Sequence, residues 1–409
     1  MDYETPPDYP PPSDEPDPHY APEERVGRAR DRRKRRQERT AMVRPRMPEG
    51  YKPMLAPAGG FKLPDIRIPE SRYLIYGAGA VLVVLGILYV LSQITGSAQI
   101  VQTPPNGLWL GTELTYALDE ETTVEELVQQ LREHQIGTVY AWVSWLKPDM
   151  AWGGWQDGTD EFAEMEPRVK AFVEEFNALY PEAVLYGWVS LPVQYHDMND
   201  LAVRTAVVDF SQRVVRDLGF EGVFLNIEPV WNNDTAFLTL LGQVREAVGN
   251  TVLISAAIPP DWSPLGVDVP VPPLIVPGTV WDTRYKQSVA LLVDELAVMA
   301  YNSGLTSASD YTEWVAYQVE TYANAIALLD TGAGAGAHIM VGIPTYEAEL
   351  PGHDPLVENV PAAAQGVRLG LAAADTNAQY VRGVAIYAAW ETDQTEWSQF
   401  RQSWVSNTR

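Results

Sequence analysis

The stretch GFEGVFLNIE, residues Gly219–Glu228, has the pattern of a buried β-strand that ends in polar groups. Its run of Val, Phe, Leu and Ile is short and follows a glycine, which is typical of a strand in a parallel sheet. Because side chains alternate along a strand, Asn226 and Glu228 lie on one side and Ile227 on the other. The stretch therefore predicts that an amide and a carboxylate meet at the C-terminal end of one strand.

Outward from this stretch, short apolar runs alternate with segments of helical period. The predicted strands are 108–111, 138–144, 184–190, 222–227, 252–258, 295–301, 339–344 and 383–387. The predicted helices are 123–134, 166–179, 201–218, 235–248, 311–329, 362–374 and 392–404. Eight such repeats in about 300 residues fit an α/β fold of the (β/α)₈ TIM-barrel type better than an open doubly wound sheet.

In such a barrel the chemistry lies at the C-terminal ends of the strands. The strand ends carry acidic, amide and aromatic residues, namely Asn226, Glu228, Met299, Tyr301, Asn302, Tyr346, Glu347, Tyr387, Trp390 and Glu391. Trp142, Trp145, Trp188, Trp231 and Trp262 also fall near strand ends. Any single tryptophan at such a position is also explained by packing between the layers of the barrel. A cluster of flat rings beside polar groups, however, favours a carbohydrate groove.

The composition excludes several kinds of site. The chain has no cysteine and only five histidines, so it offers no thiolate metal site or cysteine nucleophile, and we expect no metal. No GxGxxG or GxxxxGK[ST] pattern follows a predicted strand, so we also expect no nucleotide cofactor.

Four strands together resemble glycoside hydrolase family 18, the chitinase-like (β/α)₈ barrels, over nearly all of residues 107–408. GFEGVFLNIE resembles the family's DGxDxDxE signature, and DELAVMAYN resembles its DxxxVMxYD. VGIPTY is similar to its GxPxY, and GVAIYAAWE is similar to the segment that supplies the tryptophan floor of the sugar subsite. The resemblance implies a TIM barrel that binds N-acetylhexosamine.

Residue by residue, the resemblance implies that Glu228 is the general acid and that Tyr301 donates a hydrogen bond to the N-acetyl carbonyl group. Asn302 takes the place of the aspartate that follows this tyrosine in the family. Tyr387 takes the place of the floor tryptophan, a role that Trp390 is also placed to fill. The expected sugar-binding surface further includes Met299, Tyr346, Trp142 and Trp188.

The signature departs from the family at three positions, where Glu221, Phe224 and Asn226 replace aspartates. In the family's mechanism the substrate's own acetamido group attacks the anomeric carbon, and the third aspartate orients that group. An amide oxygen at Asn226 can still accept the acetamido N–H. The Asn-x-Glu pair also resembles the endo-β-N-acetylglucosaminidases of glycoside hydrolase family 85.

Two other interpretations stay open. In one, two protein carboxylates about 5 to 5.5 Å apart do the chemistry, with Glu228 as acid and Glu347 or Glu391 as nucleophile. In the other, the barrel is a catalytically inactive subunit that binds glycans or serves as a scaffold for envelope or membrane proteins. A mouth plugged by the Pro-rich segment 259–277 would favour the inactive subunit, and an open groove around Glu228 would favour the enzyme.

The N-terminal quarter of the chain is predicted to be a tail and a membrane anchor. Residues 1–72 are acidic and Pro-rich up to residue 24 and basic from Arg25 to Arg46, and we expect them to be disordered. Tyr73–Ile94 is uncharged and long enough to cross a bilayer, which gives a transmembrane helix at 73–95, a linker at 96–106 and the barrel at 107–409.

Charge sets the expected location and partners. Basic residues precede the span and the next one is Arg132, so we expect a single-pass cell-membrane protein with a cytoplasmic N-terminus and an extracytoplasmic barrel. The block Arg25–Arg46 is suited to anionic lipid headgroups, unless it is only a solvated topogenic tail. Residues 73–409 hold 14 Lys/Arg against 41 Asp/Glu, a charge that argues against nucleic acid as a partner. The expected partner is a glycan, because of the aromatic residues at the strand ends and the family resemblance.

Overall fold

The computed structural model describes residues 103–117, 122–154, 161–262, 272, 276–329, 336–346, 352–373 and 377–407. All the described residues belong to one compact unit, Ser92–Arg409. The predicted tail and the predicted transmembrane helix at 73–95 lie outside the described residues. Within the part that is described, no helix is long and apolar enough to span a bilayer.

Eight parallel strands close into a barrel. They are β1 Asn106–Leu110, β2 Ile136–Leu146, β3 Val184–Pro192, β4 Gly222–Glu228, β5 Leu253–Ile258, β6 Glu295–Met299, β7 His338–Pro344 and β8 Val381–Tyr387. Each strand pairs with the next along the chain, and β1 pairs with both β2 and β8, which closes the ring. A two-residue antiparallel strand, Trp152–Gly153, extends β2. The predicted parallel eight-stranded barrel is confirmed.

A four-residue helix, Thr112–Thr115, follows β1, and eight longer helices surround the barrel in the described residues. They are α1 Val124–Glu133, α2 Phe162–Leu179, α3 Leu201–Arg216, α4 Thr235–Val248, α5 Thr283–Ala290, α6 Ala308–Ala327, α7 Val360–Ala372 and α8 Gln394–Ser403. Polar side chains cap most N-termini, and Thr123 with Glu126 and Asp393 with Glu396 form capping boxes. Helix α2 begins four residues before its predicted start because Phe162 is buried against Phe210.

Helix α5 was not predicted, and tertiary contacts explain it. Lys286 in this helix is buried and pairs with the buried carboxylate of Asp261, close to the hydroxyl of Thr321 in α6. Desolvation lowers the pKa of Lys286, although the Asp261 charge opposes this effect. The ion pair fixes the residues that follow β5, which form one wall of the barrel mouth.

The lower part of the barrel interior is a packed core. Trp109, Tyr140 and Phe224 pack with ring centroids 4.5–5.9 Å apart. Below them the buried carboxylate of Glu295 accepts hydrogen bonds from the Tyr140 hydroxyl at 2.5 Å and the Ser255 hydroxyl at 3.0 Å. Ligand chemistry is therefore confined to the upper, C-terminal half of the barrel.

Candidate active site

A pocket of about 360 Å³ opens at the C-terminal ends of the strands. Its described lining residues are Trp109, Trp188, Phe224, Asn226, Glu228, Ala257, Met299, Tyr301, Asn302, Tyr346, Tyr387, Ala388, Trp390 and Glu391. Nine of the ten predicted site residues lie here, and Trp142 is the exception. The structure thus gathers residues from β4, β6, β7 and β8 in one cavity, and their roles toward a ligand stay predictions.

Strand β4 delivers Asn226 and Glu228 to the pocket, as the alternation of side chains predicts. Glu228 is open to the pocket but crowded by protein atoms on its other sides, and this desolvation raises its pKa. A hydrogen bond with the Asn226 side chain opposes the rise. Glu228 therefore keeps its proton at higher pH than an ordinary glutamate, which suits a general acid.

Phe224 precedes Asn226 by two residues on the same side of β4. Its side chain is fully buried between Tyr140 and Trp188, at ring distances of 4.5 and 5.9 Å. Position 224 is thus part of the aromatic core and supplies no polar partner to Asn226. A carboxylate at position 226 would lie beside Glu228 with no polar side chain at position 224 to partner it.

Tyr301 and Tyr387 form the centre of the pocket wall. Their rings stack, with centroids 4.9 Å apart and planes 15° apart. Desolvation, helped by the charges of Glu228 and Glu391, raises the pKa of Tyr387 to about 12, and burial raises that of Tyr301 further. Both hydroxyl groups therefore stay protonated at physiological pH and are able to donate hydrogen bonds to a ligand.

Tyr387 and Trp390 form adjacent parts of the pocket wall. Their ring centroids are 5.7 Å apart and their planes meet at 76°, so the two rings form an L-shaped aromatic wall. Trp188 lies nearly parallel to Trp390, with centroids 6.4 Å apart. Flat walls of this kind match the C–H faces of sugar rings.

Trp142 lies behind the pocket. It is only 2% exposed, its indole N–H donates to the Gly154 carbonyl oxygen at 3.3 Å, and its ring meets Trp188 edge-on at 4.8 Å. Trp142 thus packs beneath Trp188 between the layers of the barrel, and it is not exposed to the pocket as predicted. Sequence alone could not separate these two tryptophans, because both occupy paired positions on neighbouring strands.

A buried carboxylate that the sequence analysis missed, Glu358, organises the turn after β6. It accepts hydrogen bonds from the backbone N–H groups of Asn302 at 2.8 Å and Ser303 at 2.7 Å, and from the Ser303 hydroxyl. Asn302 has a φ of 54°, in the left-handed region that asparagine tolerates better than most residues. Glu358 thus holds Asn302 at the pocket edge.

His353 extends this arrangement to Tyr346. Its Nδ1 lies 3.1 Å from the Glu358 carboxylate, and its Nε2 lies 2.8 Å from the Tyr346 carbonyl oxygen. The Tyr346 hydroxyl donates to the Asn302 side-chain oxygen at 2.6 Å. Because these bonds form a closed network, Asn302 and Tyr346 are positioned before any ligand arrives.

The charged groups of the pocket are acidic. Glu228 and Glu391 line it, and its described lining contains no Lys, Arg or His. Of the two candidate nucleophiles for a two-carboxylate mechanism, Glu391 lines the pocket, and Glu347 lies outside the described residues. Among those residues, no group of three or more His, Cys, Asp or Glu is arranged to hold a metal ion.

The mouth around Glu228 is open in the part of the chain that is described. A second cavity of about 210 Å³ adjoins the first and shares Glu228, Met299 and Tyr301 with it. Pro259 and Pro260, at the start of the Pro-rich segment, form a wall of this second cavity. Residues 263–271 and 273–275 of that segment lie outside the described residues.

Comparison with known proteins gives similarity in structure only. No family model and no curated protein sequence matches the chain. A class V chitinase from Pseudomonas fluorescens has 16% identity and a TM-score of 0.45, covering 73% of this chain and 99% of its own. A family 18 chitinase from Cycas revoluta has 13% identity and a TM-score of 0.46, with coverage of 73% and 99%. The spore cortex-lytic enzyme SleL of Bacillus megaterium has 9% identity and a TM-score of 0.45, with 74% of each chain covered. The assignment of the barrel rests on its own strand pairing.

Proposed function

We propose that the barrel is a glycosidase that acts on N-acetylhexosamine-containing glycans by substrate-assisted hydrolysis with retention of configuration. The observation that carries this proposal is that Asn226 and Glu228, from one strand end, together line a pocket whose described walls are aromatic. A carboxyl group with a raised pKa suits proton donation, and the aromatic wall suits a sugar ring.

The proposed first step begins with protonated Glu228, which donates its proton to the glycosidic oxygen. As the bond to the leaving sugar breaks, the acetamido oxygen bonds to the anomeric carbon and forms a cyclic cationic intermediate. The Asn226 amide oxygen accepts the acetamido N–H, and the Tyr301 hydroxyl donates to the acetamido oxygen. These contacts fix the attacking atom, which is where positioning contributes most to the rate.

In the second step Glu228, now a carboxylate, removes a proton from a water molecule that attacks the anomeric carbon. The ring of the intermediate opens, the acetamido group is restored and Glu228 regains its proton. Two inversions at the same carbon give net retention. Every group that this cycle needs is present in the pocket, and no protein nucleophile is required.

The experiment that tests the proposal is a binding and hydrolysis screen of the full-length protein on N-acetylglucosamine oligosaccharides, with Glu228→Gln as the control. We expect hydrolysis by the wild type and binding without hydrolysis by the variant. Binding by both proteins with hydrolysis by neither would support the inactive glycan-binding subunit instead. Failure of the wild type to bind any acetamido sugar would refute both.

Asn226→Asp should leave kcat unchanged or lower it by no more than about tenfold. The added carboxylate would stabilise the cationic intermediate, but it would also raise the pKa of Glu228, and one unit corresponds to about 1.4 kcal/mol. Initial rates across pH would separate the two effects, because a raised pKa of Glu228 shifts the alkaline limb of the rate profile to higher pH. A single Asn226→Asp change that converts an inert protein into an efficient hydrolase would contradict this pairing argument.

The proposal extends to a membrane anchor at Tyr73–Ile94, with the barrel on the extracytoplasmic side, a cytoplasmic N-terminus and the basic block near anionic lipid. It is supported by the uncharged length of this segment and by the basic residues that precede it. Accessibility labelling in intact cells tests it. Labelling of a probe placed at residues 32–36 from outside the cell would overturn the proposed orientation.

A further inference from the structure

A third concavity, of about 530 Å³, lies beside the loop after β3 and the turn after β4. Two exposed aromatic side chains line it, Tyr195 at 53% and Trp231 at 48% exposure. Large rings left in water cost free energy that burial against a ligand recovers. Single exposed apolar residues are normal on a protein surface, whereas two exposed rings in one concavity are typical of a binding site.

The Trp231 ring is held in place from behind. A Cβ atom at position 278 would lie only 2.4 Å from Cε3 and Cζ3 of the indole, so only glycine lets the backbone pack this closely. Gly278 also accepts a hydrogen bond from the Asn232 N–H at 2.9 Å. The ring is supported on one side by backbone while nearly half of the residue stays open to solvent.

The turn that carries Trp231 is fixed at several points. Its carbonyl oxygen accepts the Asp234 N–H at 3.2 Å, and the Asn233 side chain donates to Asp282 at 3.2 Å. The Asp234 carbonyl oxygen accepts the Tyr285 hydroxyl at 2.8 Å. A ring that is fixed in advance loses little conformational entropy when it binds a ligand, which favours affinity.

The concavity neighbours the candidate active site through lining residues that adjacent cavities share. The second cavity shares Glu228 with the active-site pocket and Pro229 with the third concavity. The loop that carries Tyr195 is tied to the same strand end, because the Val193 N–H donates to the Glu228 carbonyl oxygen at 3.1 Å. Trp231 follows Glu228 by three residues, so its Cα lies within about 11 Å of that of Glu228.

The polar residues around the rings match a neutral ligand. Gln194, Asp197, Asn199 and Asp234 line the concavity with amide and carboxylate groups, and its described lining contains no Lys or Arg. Amides and carboxylates accept hydrogen bonds from hydroxyl groups, whereas an anionic ligand would be repelled. Exposed flat rings among such groups suit uncharged sugar units.

From these observations we infer that Tyr195 and Trp231 form a second sugar-binding platform, which holds further units of a neutral oligosaccharide whose reacting unit lies beside Glu228. The inference rests on the proposed function and adds that the substrate is a chain that crosses the edge of the barrel. Stacking on these rings needs the C–H face of a sugar and not its acetamido group.

The test measures dissociation constants of the full-length protein by calorimetry for three probes: the N-acetylglucosamine hexamer, its dimer, and the glucose hexamer. We expect Trp231→Ala and Tyr195→Ala each to weaken binding of both hexamers by about tenfold, a typical loss for one stacked ring in a fixed site. Affinity for the dimer, bound beside Glu228, should change less than twofold. Leu328→Ala is the matched control, since it removes a 68% exposed apolar side chain at the far end of α6.

The outcomes separate the platform from the proposed function. A wild type that binds the two hexamers equally, with both weakened by Trp231→Ala, would refute acetamido recognition and retain the platform. Unchanged hexamer affinity in both variants, an equal loss for dimer and hexamer, or no binding of either hexamer by the wild type would overturn the platform.

Discussion

Glu228→Gln is expected to lower kcat on N-acetylglucosamine oligosaccharides by about 10²- to 10⁴-fold, the usual contribution of a general acid. Glutamine keeps the size of the side chain, but its amide group has no acidic proton to donate to the leaving oxygen. The dissociation constant of the substrate should change little, because the aromatic wall is intact. Residual activity above about a tenth of the wild type would show that another group supplies the proton.

The pH dependence of the same pair of proteins provides an independent check. Desolvation by the surrounding protein atoms raises the pKa of Glu228, so the wild-type rate should persist above the pH at which an ordinary glutamate ionises and should fall as pH rises through the raised pKa. Because the pKa is raised in the folded protein, the charge of ionised Glu228 lowers the stability of the folded state once the pH exceeds the ordinary glutamate pKa. Below that pKa the residue is protonated in both the folded and the unfolded state, and it has no such effect. Glu228→Gln should therefore raise Tm relative to the wild type at pH 7 and not at pH 4.

Glu358→Ala is expected to destabilise the protein by on the order of 3–5 kcal/mol and to raise KM strongly. The change leaves the N–H groups of Asn302 and Ser303 and the Ser303 hydroxyl without their acceptor in a buried position. Asn302 would then lose the contact that holds its left-handed backbone. Thermal unfolding and steady-state kinetics of the same preparation measure both effects.

Two further variants keep this prediction testable if the alanine protein does not fold. Glu358→Gln retains one acceptor oxygen and should give smaller changes in the same directions, with KM affected more than kcat. Gln365→Ala, on the exposed face of α7, should change neither quantity. A Glu358→Gln protein with wild-type KM and wild-type Tm would show that Glu358 does not position the pocket.

The barrel was predictable because each strand carries its own signal. Short apolar runs separated by helical segments identify all eight strands, and alternation along Gly222–Glu228 places Asn226 and Glu228 together. Helix α5 escaped prediction because it is only eight residues long and depends on the buried Lys286–Asp261 pair, a contact between distant segments.

The supporting residues of the site could not be predicted for a related reason. Glu358 meets Ser303 across 55 positions of the chain, and no local pattern marks either residue as a partner of the other. The separation of Trp142 from Trp188 likewise depends on which ring packs behind the other. Local periodicity predicts elements and the direction of side chains, whereas buried polar networks emerge only when the elements are packed.

The most direct test of the central claim is hydrolysis of two matched pentasaccharides, one of N-acetylglucosamine and one of glucose, with the anomeric configuration of the first product followed by NMR. If the acetamido group of the substrate is the nucleophile, only the acetylated chain is cleaved and its product retains the configuration. Cleavage of the glucose chain at a comparable rate would contradict the account and would assign the nucleophile to a protein carboxylate such as Glu391.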